Sequence, residues 1–181
     1  MEFIKPNATY LDEYLAACKE SHDNNITEWM PVELDDFDSW KERALRLYDM
    51  LESGEGLPTG IPRMITYWCI EHNKFVGEVQ IRPYISIDDA KAVGHIGYAV
   101  RHSMWGKGFG TKLLQFAVDR LHELNVAPIY IACHIDNIGS NRVSQKVGFE
   151  FVEMRSTNNE AENLYVLRST NNEAENLYVL R

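Results

Sequence analysis

The sequence predicts an α/β fold of the α+β kind, with a mixed, mostly antiparallel central sheet of about six or seven strands flanked by helices. Three observations carry this. Two apolar stripes at helical spacing open the chain, three strand-like runs follow them, and the order helix, strand, helix, strand then completes it. With 181 residues, 45% of them hydrophobic, the chain can bury one sizeable core but hardly two, so a single domain over residues 1–168 is expected.

Phe3-Ile4 reads as a short first strand, and Leu11, Tyr14, Leu15 and Cys18 recur at helical spacing from about Thr9 to Glu20. In a second helix Phe37, Trp40, Ala44, Leu47, Tyr48 and Leu51 form one stripe. Asp35 caps it and Asp38 lies in its first turn, so the acidic group Glu33, Asp35, Asp36 and Asp38 reads as helix-start chemistry. The glycines and prolines between Gly54 and Pro62 break both helix and strand, leaving a connection that either lines a pocket or simply crosses the surface.

Strands are then expected over Met64 to Glu71, Lys74 to Arg82 and Val93 to Val100, the first two joined tightly through His72-Asn73. A helix from about Gly108 to Leu124 places Leu113, Leu114, Ala117, Val118, Leu121 and Leu124 on one side. Ile129 to Cys133 reads as a buried strand, Ser140 to Lys146 as a short helix and Phe149 to Met154 as another strand. Ser156 to Arg168 recurs unchanged as Ser169 to Arg181. Either copy offers the same strand, Asn163 to Leu167 or Asn176 to Leu180. If the fold has one slot for it, the tail 169–181 frays, adds to an edge or swaps into a neighbour.

The formal net charge of −9 disfavours nucleic acid and anionic membranes as partners and suits a cationic acceptor. The N-terminus lacks the pattern of a secretory leader, and the expectation is a cytoplasmic protein. Cys18, Cys69 and Cys133 stand far apart in apolar surroundings, as buried reduced thiols do, and no spacing calls for a metal.

The chemistry concentrates between Gly94 and Leu114, where a strand leads through a glycine turn into a helix. Alternate glycines leave backbone N–H groups unobstructed, and a helix N-terminus adds the positive end of its dipole, so Trp105, Gly106, Lys107, Gly108, Phe109, Gly110 and Thr111 can hold a pyrophosphate. The Walker ending is absent and the third glycine comes one residue early for a dinucleotide fingerprint, which disfavours nucleoside triphosphates and NAD. Alone, such a turn is a weak signal that is also met as plain structure.

Trp105-Gly106-Lys107-Gly108-Phe109-Gly110 resembles the Arg/Gln-x-x-Gly-x-Gly/Ala segment of the GNAT acetyltransferases, with Trp105 in the usual Arg or Gln position. Downstream, Asn137 to Phe149 resembles that family's Asn-x-x-Ala-x-x-Leu-Tyr-x-x-x-Gly-Phe segment, with the spacing kept throughout. Ile61-Pro62 and Gly94-His95-Ile96-Gly97-Tyr98 are similar to an uncharacterised bacterial branch of the family. The resemblance, over roughly Met64 to Phe151, implies splayed parallel central strands and acetyl-CoA as cosubstrate. It further implies that the backbone of Tyr98, Ala99 and Val100 bonds the pantetheine arm, that Asn137 and Ser140 contact it from the other side, and that the protein is a homodimer.

Acetyl transfer to an amine poses a proton problem at each end. A lysine-like amine with pKa about 10.4 is neutral only about once in ~2,500 molecules at pH 7, and an α-amine near 8 about a tenth of the time. The candidate bases are Glu78 and His95; each also reads as a hydrogen-bonded structural group. Ser144 stands where the family's tyrosine acid is found. A hydroxyl there is a poor proton donor, so direct attack with a self-sufficient thiolate leaving group is expected. The acceptor is a small-molecule or peptide amine. The competing reading is a catalytically idle acyl-CoA-binding module.

Overall fold

The computed structural model describes residues 1–26, 37–157 and 160–168. Strand β1 spans Glu2–Ile4, helix α1 Leu11–Asp23 and helix α2 Phe37–Ser53; strands β2, Ile65–Glu71, and β3, Lys74–Ile81, follow. Next come helix α3, Ile87–Val93, strand β4, Ile96–Val100, and helix α4, Phe109–Glu123. Strand β5, Ile129–His134, helix α5, Ile138–Val147, and strands β6, Glu150–Thr157, and β7, Glu160–Leu167, complete the described elements.

The strands divide into two sheets, one in the order β1-β2-β3-β4 and one in the order β5-β7-β6, with every ladder antiparallel. The β2–β3 hairpin turns at His72 and Asn73, whose φ values of 51° and 60° give the twist a two-residue connection needs. Among the described residues no ladder joins β4 to β5. The expected splay therefore separates two sheets at the centre of the molecule.

Each face of the first sheet buries its own apolar layer. On one side Leu113, Leu114, Ala117, Val118 and Leu121 of α4 pack on Val76, Val79, Ile81 and Ile96, and the layer continues onto Ile129, Ile131 and Tyr165 of the second sheet. On the other, Tyr14, Leu15 and Cys18 of α1 and Ala44 and Tyr48 of α2 cover Trp68, Ile70 and Phe75. Each fully buried Leu or Ile contributes about 1.5–3 kcal/mol, so these two layers fix the positions of β3 and β4. At the closest approach a Cβ on Gly77 would stand 2.3 Å from the Ala99 carbonyl oxygen and 3.1 Å from Leu113, so only glycine fits there.

Several expectations need correction. Val93 belongs to α3 rather than to a strand from Val93 to Val100: Ser86 caps that short helix by accepting the Asp89 N–H at 3.1 Å, and β4 starts only at Ile96. Leu47 and Leu124 are exposed, because α2 and α4 turn narrower faces inward than their stripes suggested. The segment after Gly54 is irregular as expected, and Arg63 reaches back across it to donate two hydrogen bonds to the Glu52 carbonyl oxygen at the end of α2.

Cys18, Cys69 and Cys133 are buried free thiols. The first copy of the repeat fills the slot between β5 and β6 as β7. The second copy, Trp29, the proposed cap Asp35 and its acidic neighbours Glu33 and Asp36 lie outside the described residues, as do the side chains of Phe37, Asp38 and Trp40. No described helix is long and apolar enough to cross a membrane.

Candidate active site

The two sheets meet at one seam. The backbone N–H of His95 donates to the Tyr130 carbonyl oxygen at 2.8 Å, and His95 Nδ1 accepts the Tyr130 N–H at 3.0 Å. The ring is 1% exposed, and burial together with Arg82 pushes its pKa below the usual value. With Nδ1 occupied as an acceptor, the neutral ring carries its proton on Nε2. Beyond this seam β4 keeps one edge unpaired among the described residues, and Gly97, Tyr98, Ala99 and Val100 are all partly exposed.

At its far end β4 runs into the glycine turn. Trp105 is largely exposed and spans that junction, its indole N–H donating to the Val100 carbonyl oxygen at 2.7 Å. Gly106 and Gly108 have φ of 73° and 81°, and among the described residues nothing lies within 4 Å of where a Cβ would stand on either. Gly108 is the N-cap of α4 and offers no side-chain cap, so the first-turn N–H groups of Phe109, Gly110 and Thr111 point outward with the helix dipole behind them. Lys107 folds back to donate to the Ser103 carbonyl oxygen at 2.8 Å, which keeps a cation beside the turn. These features fit an anionic group such as a pyrophosphate.

The opposite wall comes from α5. Asn137 caps that helix by accepting the Ser140 N–H at 2.9 Å. Tyr98 projects towards this side, where a Cβ on Gly110 would stand 3.6 Å from its ring. Burial pushes the Tyr98 phenol up to about 12, with nearby Ser140 offsetting part of the rise. Ser144 is fully buried: its hydroxyl donates to the Ser140 carbonyl oxygen at 3.0 Å and lies 3.5 Å from Cys133 Sγ. The structure thus gathers Tyr98, Ser140, Ser144 and Cys133 on one flank of the splay.

Glu78 lies on the other face of β3, opposite Ala99 of β4 and Trp68 of β2. It is 4% exposed and accepts three hydrogen bonds: from the Tyr48 hydroxyl at 3.0 Å and Trp68 Nε1 at 3.3 Å on one oxygen, and from Gln80 Nε2 at 3.1 Å on the other. Tyr48 also meets Tyr14, oxygen to oxygen, at 2.7 Å. Burial pushes Glu78 up to about 7, outweighing the three donors, so it changes charge near neutral pH. A buried carboxyl that changes charge near neutral pH is a functional candidate on physical grounds.

Two further residues escaped the sequence reading. Arg101, at the end of β4, pairs with Glu20 at 2.7 Å and Glu13 at 3.1 Å, both on α1, while Glu20 also accepts the Ser103 N–H. Burial tends to raise Glu20, but Arg101 and Ser103 outweigh it and hold the carboxyl below its usual value. Arg101 thereby ties the start of the glycine turn to α1. Asn141 donates to the His134 and Asn137 carbonyl oxygens at 2.8 Å each, and its own oxygen accepts from Asn163 at 2.9 Å and Tyr165 at 2.8 Å. It locks α5 onto β5 and β7. The repeated polar residues around Asn141 gave no sign of this, since its partners on β7 are distant in sequence.

A splayed pair of central strands, a glycine turn at a helix N-terminus and a second capped helix across from it make up the arrangement that the sequence resemblance implied. The chain matches the family model described as acetyltransferase (GNAT) domain over residues 3–150 and belongs to that family. Among solved structures it resembles the microcin C7 self-immunity acetyltransferase MccE in complex with acetyl-CoA and AMP, at 18% identity and TM-score 0.66, covering 92% of this chain and 91% of that one. It also resembles a ribosomal-protein-S5-alanine acetyltransferase from Vibrio fischeri, at 17% identity and TM-score 0.65 with 93% of each chain covered. The aminoglycoside acetyltransferase AAC(6′)-Ib in complex with coenzyme A is 21% identical, with TM-score 0.65 and 92% and 93% covered. No curated protein sequence matches the chain.

Proposed function

We propose that the protein transfers the acetyl group of acetyl-CoA to a primary amine by direct attack. The observation that carries this is the pairing of an unobstructed glycine turn at the α4 N-terminus with an unpaired β4 edge, the two features a pyrophosphate and a pantetheine arm require. Gly106 to Thr111 and Lys107 hold the diphosphate, the free edge of Tyr98 to Val100 receives the arm, and Asn137 and Ser140 close it from α5. The nucleotide-bound and CoA-bound neighbours of the same fold support this assignment.

In the reaction the amine nitrogen forms a bond to the acetyl carbon, the carbon–sulfur bond breaks and CoA leaves as the thiolate, which takes up through solvent the second proton that the amine nitrogen gives up as the amide forms. The ammonium proton lost before attack passes to Glu78, reached through Gln80 or a water on the β3–β4 face, since its pKa of about 7 lets it accept a proton at neutral pH. His95 is the weaker candidate because its Nδ1 is occupied at the seam. Tyr98, at about 12, is a weaker acid than a thiol near 8.5, so it offers the sulfur a hydrogen bond rather than a proton. Ser144, turned to Ser140, does less.

The acceptor is a small-molecule or peptide amine, acted on by one catalytic unit over residues 1–168 in a cytoplasmic protein. The homodimer stays a proposal from family resemblance. Thiol release from acetyl-CoA with a panel of amines tests the reading, and acceptor-dependent release supports it. CoA binding without release from any amine favours the idle binding module, a reading to which the inward-turned Ser144 lends weight.

A further inference from the structure

Arg82 is enclosed without a carboxylate among the described residues. Glu78 and Gln80 of β3, and Arg82 just past its end, alternate onto one face, and Arg82 leans back along the strand: a Cβ on Gly97 would stand 3.5 and 3.7 Å from its two guanidinium nitrogens. Gly97 pairs with Gln80, and Ala99 with Glu78. The guanidinium therefore lies two residues, about 7 Å, from the row that holds Glu78. Its one hydrogen bond among the described residues is a long one, 3.4 Å from Nη1 to the Gly94 carbonyl oxygen.

No described carboxylate pairs with Arg82, and burial lowers its pKa with no acidic neighbour to oppose that. Other enclosed arginines differ: Arg101 meets Glu13 and Glu20, and Arg155 meets Glu162. In a chain with 27 acidic and 18 basic residues, a cation held away from every described carboxylate is an arrangement that a ligand's charge completes. A second group in the same cross-strand row points the same way. Thr66, opposite Gln80, is 3% exposed and its hydroxyl has no partner among the described residues. Gln80, Arg82, Gly97 and Ala99 are partly exposed, so this row is open to a small molecule.

We propose that Arg82 binds a carboxylate of the acceptor, which makes the acceptor class an amino acid rather than a simple amine or polyamine. The inference rests on the acetyltransferase reading above. The acceptor's carboxylate takes both guanidinium N–H groups over Gly97, and its amine falls towards the Glu78 row, where the proton leaves and the new carbon–nitrogen bond forms. The acidic surface draws in the ammonium end of the zwitterion, and Arg82 selects the other end.

The test compares acetyl-CoA thiol release with free amino acids, their methyl esters and the corresponding decarboxylated amines. The expected result is a free acid favoured over its ester roughly 10- to 100-fold in kcat/KM, mostly through KM. Arg82→Gln brings acid and ester within about twofold, and Arg82→Lys restores part of the preference. Equal use of acids and esters by the wild-type protein overturns the proposal, whatever the variants do to folding. Transfer to no free amino acid also overturns it; acetylation of the esters or amines in that case leaves the transferase reading intact, and its absence counts against both.

Discussion

His95 Nδ1 accepts the backbone N–H of Tyr130 at 3.0 Å, so a side chain makes the bond that a strand backbone would make in a continuous sheet. The two sheets are held at this point and diverge beyond it, which leaves the β4 edge free of any described strand. Replacing His95 with Ala leaves a Tyr130 donor without its partner, and the expected cost is about 1–3 kcal/mol. Urea unfolding of the variant measures it. The pH dependence of turnover in residual folded enzyme is expected to keep its wild-type midpoint, because Glu78 rather than His95 is the proposed base.

Glu78 gives stability a pH dependence with a definite sign. Its folded pKa of about 7 lies above the ordinary carboxyl value of 4.5, so between these values the folded state holds the proton more tightly than the unfolded chain. The contribution is fully present below about 4.5, is lost as pH rises through 7 and then stays constant. The full span is roughly 3 kcal/mol. Unfolding free energies at pH 5 and pH 8 are expected to fall further for wild type than for Glu78→Gln. In kinetics, kcat/KM rises through about pH 7 in wild type, and Glu78→Gln loses that step.

Asn141 satisfies two carbonyls and receives two donors from β7. Asn141→Ala strands all four, with an expected loss of about 2–4 kcal/mol. Thermal unfolding checks the loss, and faster amide exchange in β7 shows where it acts.

The two chemical segments of the site were legible because a glycine turn and a capped helix are local. Gly106 and Gly108 need positive φ, and Asn137 caps three residues ahead, so spacing alone reports them. The hairpin at His72-Asn73 was legible for the same reason. What stayed hidden depends on partners far along the chain. Nothing near His95 announces Tyr130, nothing near Glu78 announces Tyr48, and the pairing of Arg101 with Glu20 crosses 81 positions. Helix α3 was missed because it is seven residues long, with only Ala90 buried, too short for an apolar period to form.

Gly108 bears most directly on the central claim, since its φ of 81° exposes the turn and no neighbouring atom would block a new side chain. The decisive measurement is mass spectrometry of amine products formed from acetyl-CoA by wild type and Gly108→Arg, with CoA binding followed by calorimetry on both. The account predicts acetylated amine from wild type, with CoA affinity and product both reduced at least about tenfold in folded Gly108→Arg. Equal CoA binding and equal product from the two proteins would contradict it.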